Sequence, residues 1–276
     1  MSASPLVIEP QRGRRLVDWR ELWAYRDLLW LMVRRDVKVR YAQTVLGFAW
    51  AILKPVITTV LLNFVFNNLA QIQSDGVAYP LFAYAGVVAW TYFAGAFSAA
   101  TGSLVGNSLL SKVYFPRMIL PINPVLSNLV DFAIALLMIT PYLIVYRTLP
   151  SWQVVVLPLL VGIMVLTAAG AGMWLSALAV QYRDIKLIVS FLVPLLMYAS
   201  PVVWPVSLLG EKVPHLRLLI GLNPLVGVIG GFRAALIGAT PMPWDLIALG
   251  ALVAAVLFVS GAGYFRHKER AFADVY

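Results

Sequence analysis

The chain has 276 residues, 61% of them hydrophobic and 12% charged, with a mean hydropathy of +0.85. Soluble domains carry about twice that charged fraction, so the composition argues against a soluble enzyme or binding module and for a polytopic membrane protein. The net charge of +9 sits at the ends of apolar runs, where topology and anionic lipid account for it better than nucleic acid does. With no cysteines, disulfides, thiol catalysis and Cys-ligated metal are ruled out.

From the N-terminus, Arg12, Arg14 and Arg15 are not followed by an apolar h-region, so no signal peptide is expected. Asp18 followed by Glu21 reads as a helix start. Beyond it Trp19, Leu22, Trp23, Trp30, Val33, Val37 and Tyr41 fall near one face, with Arg20, Asp27, Arg34, Arg35 and Lys38 on the others. This pattern predicts an amphipathic helix in the cytoplasmic headgroup layer, closing an N-terminal segment at residues 1–41; the alternative is a simple topology anchor.

A spanning helix needs ~20 mostly apolar residues. Six runs qualify: 45–69, 79–103, 120–146, 153–180, 186–205 and 244–265. A seventh, at 216–237, contains Arg217, Arg233 and the helix-breaking Asn223-Pro224 pair. Counting it would send the basic Arg266–Arg270 tail outside, against the positive-inside rule. The expectation is therefore an all-α integral membrane fold with both termini cytoplasmic. Residues 42–265 form a six-helix transmembrane domain, and 266–276 a cytoplasmic tail. Residues 206–240 are expected to form two short helices re-entering the outer leaflet, with a surface-lying hairpin as the alternative.

Between the second and third runs lies a polar island, Asn107 to Pro121, reading NSLLSKVYFPRMILP. A chain so poor in charge has reason to build a short amphipathic helix there if another protein docks on it.

Catalytic chemistry is hard to find. There is no G-x-x-x-x-G-K-[ST] motif for ATP. His215 and His267 fall on opposite faces, so no metal site is expected. Asp131 is the one carboxylate well inside a predicted span: either a proton-coupling group or a hydrogen-bond partner for a neighbouring helix. Lys54 snorkels or pairs with a carboxylate. No paired carboxylates suit glycan hydrolysis or transfer, and the chain is not expected to be an enzyme. Trp50, Tyr84, Trp90, Tyr92, Phe93, Trp174, Tyr198 and Trp204 are candidates for a glycan-binding channel surface, against lipid-belt or core roles. Gly102/Gly106 and Gly227/Gly231 make two G-x-x-x-G spacings.

Several stretches resemble one family: Arg35-Asp36-Val37-Lys38-Val39-Arg40-Tyr41, Leu46-Gly47 through Trp50, Lys112-Val113-Tyr114-Phe115-Pro116-Arg117, Tyr182-Arg183-Asp184, Leu222-Asn223-Pro224 and Gly231-Phe232-Arg233. In this order they are similar to the permease subunits of type-2 ABC exporters for polysaccharides: the O-antigen, capsule and teichoic-acid permeases, O-antigen permeases above all. Ala42 and Phe48 depart from the pattern, where a polar residue and a proline are commoner.

The resemblance implies a homodimer in the inner membrane and two copies of a separate ATPase subunit that bind ATP and Mg²⁺. The cargo is a lipid-linked polysaccharide. It assigns residues 107–121 as the coupling helix, with Lys112, Tyr114, Phe115, Pro116 and Arg117 as its contacts, and Tyr182, Arg183 and Asp184 as a second contact. Trp23 and Trp30 fall to the interface helix. Asn223, Pro224, Phe232 and Arg233 fall to an outer gate. Arg34, Arg35 and Arg40 are candidates for the lipid pyrophosphate, because a guanidinium matches phosphate oxygens bidentately. An ABC exporter of a small lipid or drug is the nearest alternative; a proton-coupled secondary transporter is a more distant one.

Overall fold

The computed structural model describes residues 19–42, 44, 46–106, 115–208, 214–238 and 240–269. Asp18 and most of the polar island, including Lys112 and Tyr114, lie outside the described residues. Every regular element among the described residues is helical.

Five helices are long and apolar enough to cross a membrane: Ala49–Leu69, Tyr79–Gly102, Ile119–Val145, Trp152–Gln181 and Trp244–Glu269. The protein is therefore a multi-pass membrane protein. These helices are named here the first, second, third, fourth and last spans. Breaks within them have local causes. The first span contains Pro55 and passes into a π-helical stretch at Asn63–Leu69. The third divides at Met138, just before Pro141, which has no N–H for the carbonyl four residues back. The last span ends on Arg266, His267 and Lys268, cations suited to the negative end of the helix dipole.

The predicted fifth run behaves differently. Asp184–Ala199 is helical for 16 residues, about 24 Å at 1.5 Å per residue, short of a ~30 Å hydrocarbon core. It stops because Pro201 holds Ser200 in extended backbone. The chain then turns inward, and Ser200, Val202 and Val203 are fully buried. Buried irregular backbone needs partners, and distant side chains supply them. The Tyr79 hydroxyl donates to the Val203 carbonyl (3.0 Å), Arg233 Nη2 to the Val202 carbonyl (2.8 Å), and Asn223 Nδ2 to Ser200 Oγ (2.9 Å).

Between this turn and the last span lie two short helices, Pro214–Gly221 and Pro224–Ile237. Asn223 caps the second by accepting the Leu225 N–H, Pro224 occupies its first turn, and Gly238 closes it at φ +73°. Pro224–Ile237 is buried almost throughout, so protein covers the backbone at this break.

The second span is the centre of the bundle: 78% of its apolar window is buried, against 17–39% for the other four spans. It packs on the third and fourth spans and on Pro224–Ile237. A smaller core closes one end of the bundle, joining Met32 to Phe115, Met118, Met173 and Phe265. The two G-x-x-x-G spacings part company. A Cβ on Gly227 would sit 2.4 Å from the Leu246 carbonyl oxygen, whereas Gly106 has open space around it and φ +74°, so it serves a turn.

Candidate functional site: a charged cavity beside the third span

The amphipathic segment forms two helices, Trp19–Ala24 and Arg26–Tyr41. The second follows the third span instead of crossing it. Met32 packs in the end core with Met118 and Ile119, Asp36 accepts from Asn123 Nδ2, and Arg40 reaches Ser127, Asn128 and Asp131. Contacts that advance in step along both helices mean that they run side by side. The apolar face of this stretch therefore meets protein at Met32 and Val33, which are buried, while Arg34, Arg35, Lys38 and Val39 stay exposed. Trp23 and Trp30, by contrast, are 69% and 63% exposed.

Asp131 lies twelve residues beyond Ile119 at the start of the third span, about 18 Å along the helix at 1.5 Å per residue. It ion-pairs with Arg40 Nη1 and accepts from the Tyr41 hydroxyl. The other Arg40 nitrogen donates to Ser127 Oγ (3.3 Å), and Asn128 Oδ1 also accepts from Nη1 (3.3 Å). Burial first, and then the bond to Asp131, raises the Tyr41 phenol above its ordinary range, so Tyr41 is a donor. Phe48 stacks on Tyr41 at 4.1 Å across the turn through Gly47, so the departure at Phe48 closes this corner.

The pair borders a cavity of about 360 Å³ between the first three spans, lined among others by Trp50, Lys54, Tyr92 and Asn128. Lys54 makes no ion pair among the described residues. Of the three candidate pyrophosphate arginines, only Arg40 faces the cavity; Arg34 and Arg35 are exposed, and Arg35 pairs with Asp36 at 2.9 Å. Sequence reasoning missed Ser127, Asn128 and the Asp36–Asn123 tie. A signal existed: Asn123, Ser127 and Asp131 form an i, i+4, i+8 polar stripe, matched by Asp36 and Arg40 at i, i+4.

The residues assigned to docking divide. Tyr182, Arg183 and Asp184 stand exposed in the turn after the fourth span. Phe115 does not: it is 6% exposed, in the core with Met32 and Phe265. Arg117 Nη1 donates to the Glu269 carbonyl at 3.0 Å. Both were expected to face a partner, and both are engaged within the chain because three helix ends meet there and need an apolar plug. Pro116 beside them is half-buried. Phe115→Ala is therefore expected to lower the stability of the purified chain by about 3 kcal/mol, read as a thermal shift in detergent. An unchanged melting temperature would count against the plug.

The candidate channel aromatics are mostly interior. Tyr84 donates to the Ala135 carbonyl (2.8 Å) and Tyr92 to the Val125 carbonyl (3.2 Å); Trp90 and Phe93 are 5% and 7% exposed. These four fill the bundle's centre, with Tyr92 alone reaching the cavity, because the second span has no lipid-facing side to put them on. Trp174 stacks on Tyr264 (4.2 Å) and Trp204 Nε1 donates to the Tyr198 carbonyl (3.0 Å). Trp50 and Tyr198 are exposed. The supposed gate residues are also packed inside: Phe232 meets Phe132 edge-on at 5.9 Å, and Arg233 lies over the Phe82 ring at 3.4 Å.

A family model described as ABC-2 type transporter matches residues 27–237. The chain is 31% identical to the O-antigen export system permease protein RfbA of Myxococcus xanthus, over 92% of this chain and 97% of that protein. It is 26% identical to the protein of the same name from Klebsiella pneumoniae, over 90% and 95%. It is 22% identical to the polysialic acid transport protein KpsM of Escherichia coli, over 86% and 92%. The family match over residues 27–237 and these near full-length similarities lead to one conclusion: the chain belongs to the ABC-2 type transporter family.

Proposed function

We propose that this chain is the permease subunit of an ATP-driven exporter that moves a lipid-linked, O-antigen-like polysaccharide across the bacterial inner membrane. The observation that carries the reading is the near full-length similarity to permeases named for O-antigen export. With no P-loop in the chain, ATP and Mg²⁺ belong on a separate ATPase subunit, in two copies. ATP-driven closure of those subunits drives transport if it favours one permease conformation over another. The island at 107–121 and the exposed Tyr182–Asp184 turn are the proposed docking points. Through Phe115 and Arg117, a push on the island is passed to the interface helix and the last span.

In this reading Asp184–Ala199, together with the buried turn after it, counts as a sixth crossing. Both termini are then cytoplasmic, and Pro214–Ile237 forms the outer gate. The exposed apolar faces of the first span (Leu61, Phe64) and of Asp184–Ala199 (Leu187, Phe191) suit a second copy of the chain, giving the homodimer. Arg40 at the cavity is the proposed contact for the lipid pyrophosphate. A proton-coupled carrier is disfavoured, because both carboxylate oxygens of Asp131 are already engaged, by Arg40 and by Tyr41.

Depleting the chain in cells is expected to abolish glycan labelling on the outer face of the inner membrane while lipid-linked glycan accumulates inside. Restoring the chain beside an ATPase that cannot hydrolyse ATP is expected to leave the defect. Outer-face labelling that persists after depletion would refute the assignment.

A further inference from the structure

We propose that Asp131 is a resident counter-anion in the 360 Å³ cavity, one that an incoming phosphate headgroup of an amphiphile displaces from Arg40. This rests on the reading of the cargo as lipid-linked and adds how the site is held shut without it.

Charge bookkeeping motivates the assignment. Arg40 and Lys54 bring two positive charges to the cavity and Asp131 one negative charge, leaving an excess of one. A cation at the cavity with no ion-pair partner among the described residues has as its natural complement an anion that arrives with the cargo. A diphosphate diester carries two negative charges. With Asp131 paired to Arg40, only Lys54 is free to meet it; with Asp131 left on Tyr41 alone, Arg40 and Lys54 both face the diphosphate. Arg40 presents the planar fork that matches phosphate oxygens, and Trp50 supplies an exposed apolar wall for the first sugar.

The geometry also provides for Asp131 after displacement. Tyr41 donates to one carboxylate oxygen and Arg40 to the other, so Asp131 keeps a partner when Arg40 leaves. The exchange has a mechanical consequence. Polar ties hold the interface helix along the third span at three of its residues: Asp36 to Asn123, Arg40 to Ser127, Asn128 and Asp131, and Tyr41 to Asp131. When Arg40 turns to the phosphate, Tyr41–Asp131 is left as the polar tie at the C-terminal end of that helix, which leads through Gly47 into the first span. Cargo arrival thereby reduces the number of ties at the junction between the interface helix and the first span.

The test uses the full transporter, chain plus partner ATPase, in lipid nanodiscs, titrated with fluorescent polyprenyl diphosphate, with polyprenol, and with inorganic pyrophosphate as competitor. Removing the competing carboxylate in Asp131→Asn is expected to tighten polyprenyl diphosphate binding by about tenfold and to raise ATP hydrolysis without cargo. Lys54→Gln leaves the ion pair intact and is expected to weaken binding by about tenfold. Asp131→Glu is expected to behave as wild type. If wild type prefers the diphosphate but Asp131→Asn binds no tighter, the displacement idea is wrong while the cargo reading stands. If Asp131→Asn does not fold, unchanged binding in Lys54→Gln is enough to overturn it. Equal binding of polyprenol and polyprenyl diphosphate by wild type would instead remove the cargo reading. Pyrophosphate that competes at equal concentration would assign the site to a soluble anion and overturn the lipid assignment.

Discussion

Leucine at Gly261 is expected to prise the fourth and last spans apart and to lower the melting temperature of the detergent-purified chain by about 10 °C. A Cβ at position 261 would sit 2.3 Å from the Gly170 carbonyl oxygen and 3.0 Å from Trp174 Cδ1. From the other side, a Cβ on Gly170 would meet the backbone of Leu257 and Phe258 at 2.6 Å. Backbone cannot rotate away, so relief requires the helices to separate. Between helices in lipid, close van der Waals contact is a principal source of association, and this contact also sets the Trp174–Tyr264 stack and the Trp174 Nε1–Ser260 Oγ bond (3.1 Å). Gly162 has nothing within 4 Å, so Gly162→Ala on the fourth span is the control and is expected to be neutral or slightly stabilising. Equal melting of the two variants would contradict the packing account.

Arg233→Leu is expected to open the buried turn after Ala199. The guanidinium is the partner of two buried carbonyls, Phe82 (from Nε, 3.1 Å) and Val202 (from Nη2, 2.8 Å), and its plane covers the Phe82 ring. Leucine removes both donors and leaves each carbonyl desolvated, at about 1–3 kcal/mol apiece. Arg233→Lys is expected to recover only part of this, because an ammonium lacks the planar fork that serves both carbonyls at once. Gly86→Ala is expected to disturb the same group indirectly, since its Cβ would lie 2.9 Å from Nη2. The chain has no cysteine, so a single Val203→Cys reporter, buried in the parent, gives a clean reading of thiol accessibility. Rapid labelling in the Arg233→Leu background is the predicted result. Protection equal to the parent would show that Arg233 does not hold the turn.

Much of the architecture was legible because it is local. The apolar runs at 79–103, 120–146 and 153–180 match the observed helices within about a residue at each end. The Asn223-Pro224 break carries its own cap chemistry and was readable for the same reason. What stayed hidden depends on distant partners. The early end of the fifth run follows from Pro201, but the inward course of the chain beyond it needs Tyr79, Asn223 and Arg233, which come from two other segments. The amphipathic pattern of Arg26–Tyr41 is the same whether its apolar face meets headgroups or another helix, so sequence could not choose between them. Phe115 and Arg117 looked like docking residues because they sit in a polar island; their partners, Met32 and Glu269, come from the opposite ends of the chain. The aromatics of the second span were read as a channel surface because an apolar run does not reveal that it lies at the centre.

The central claim, that this chain moves a lipid-linked glycan only when a separate ATPase hydrolyses ATP, has one direct measurement. The permease and its ATPase are reconstituted into proteoliposomes with a lipid-linked glycan, and its movement across the bilayer is followed by protection from an added glycosidase. Movement that requires ATP and stops with a hydrolysis-dead ATPase is the predicted result. Movement driven by a proton gradient without ATP, or by the permease alone, would contradict it.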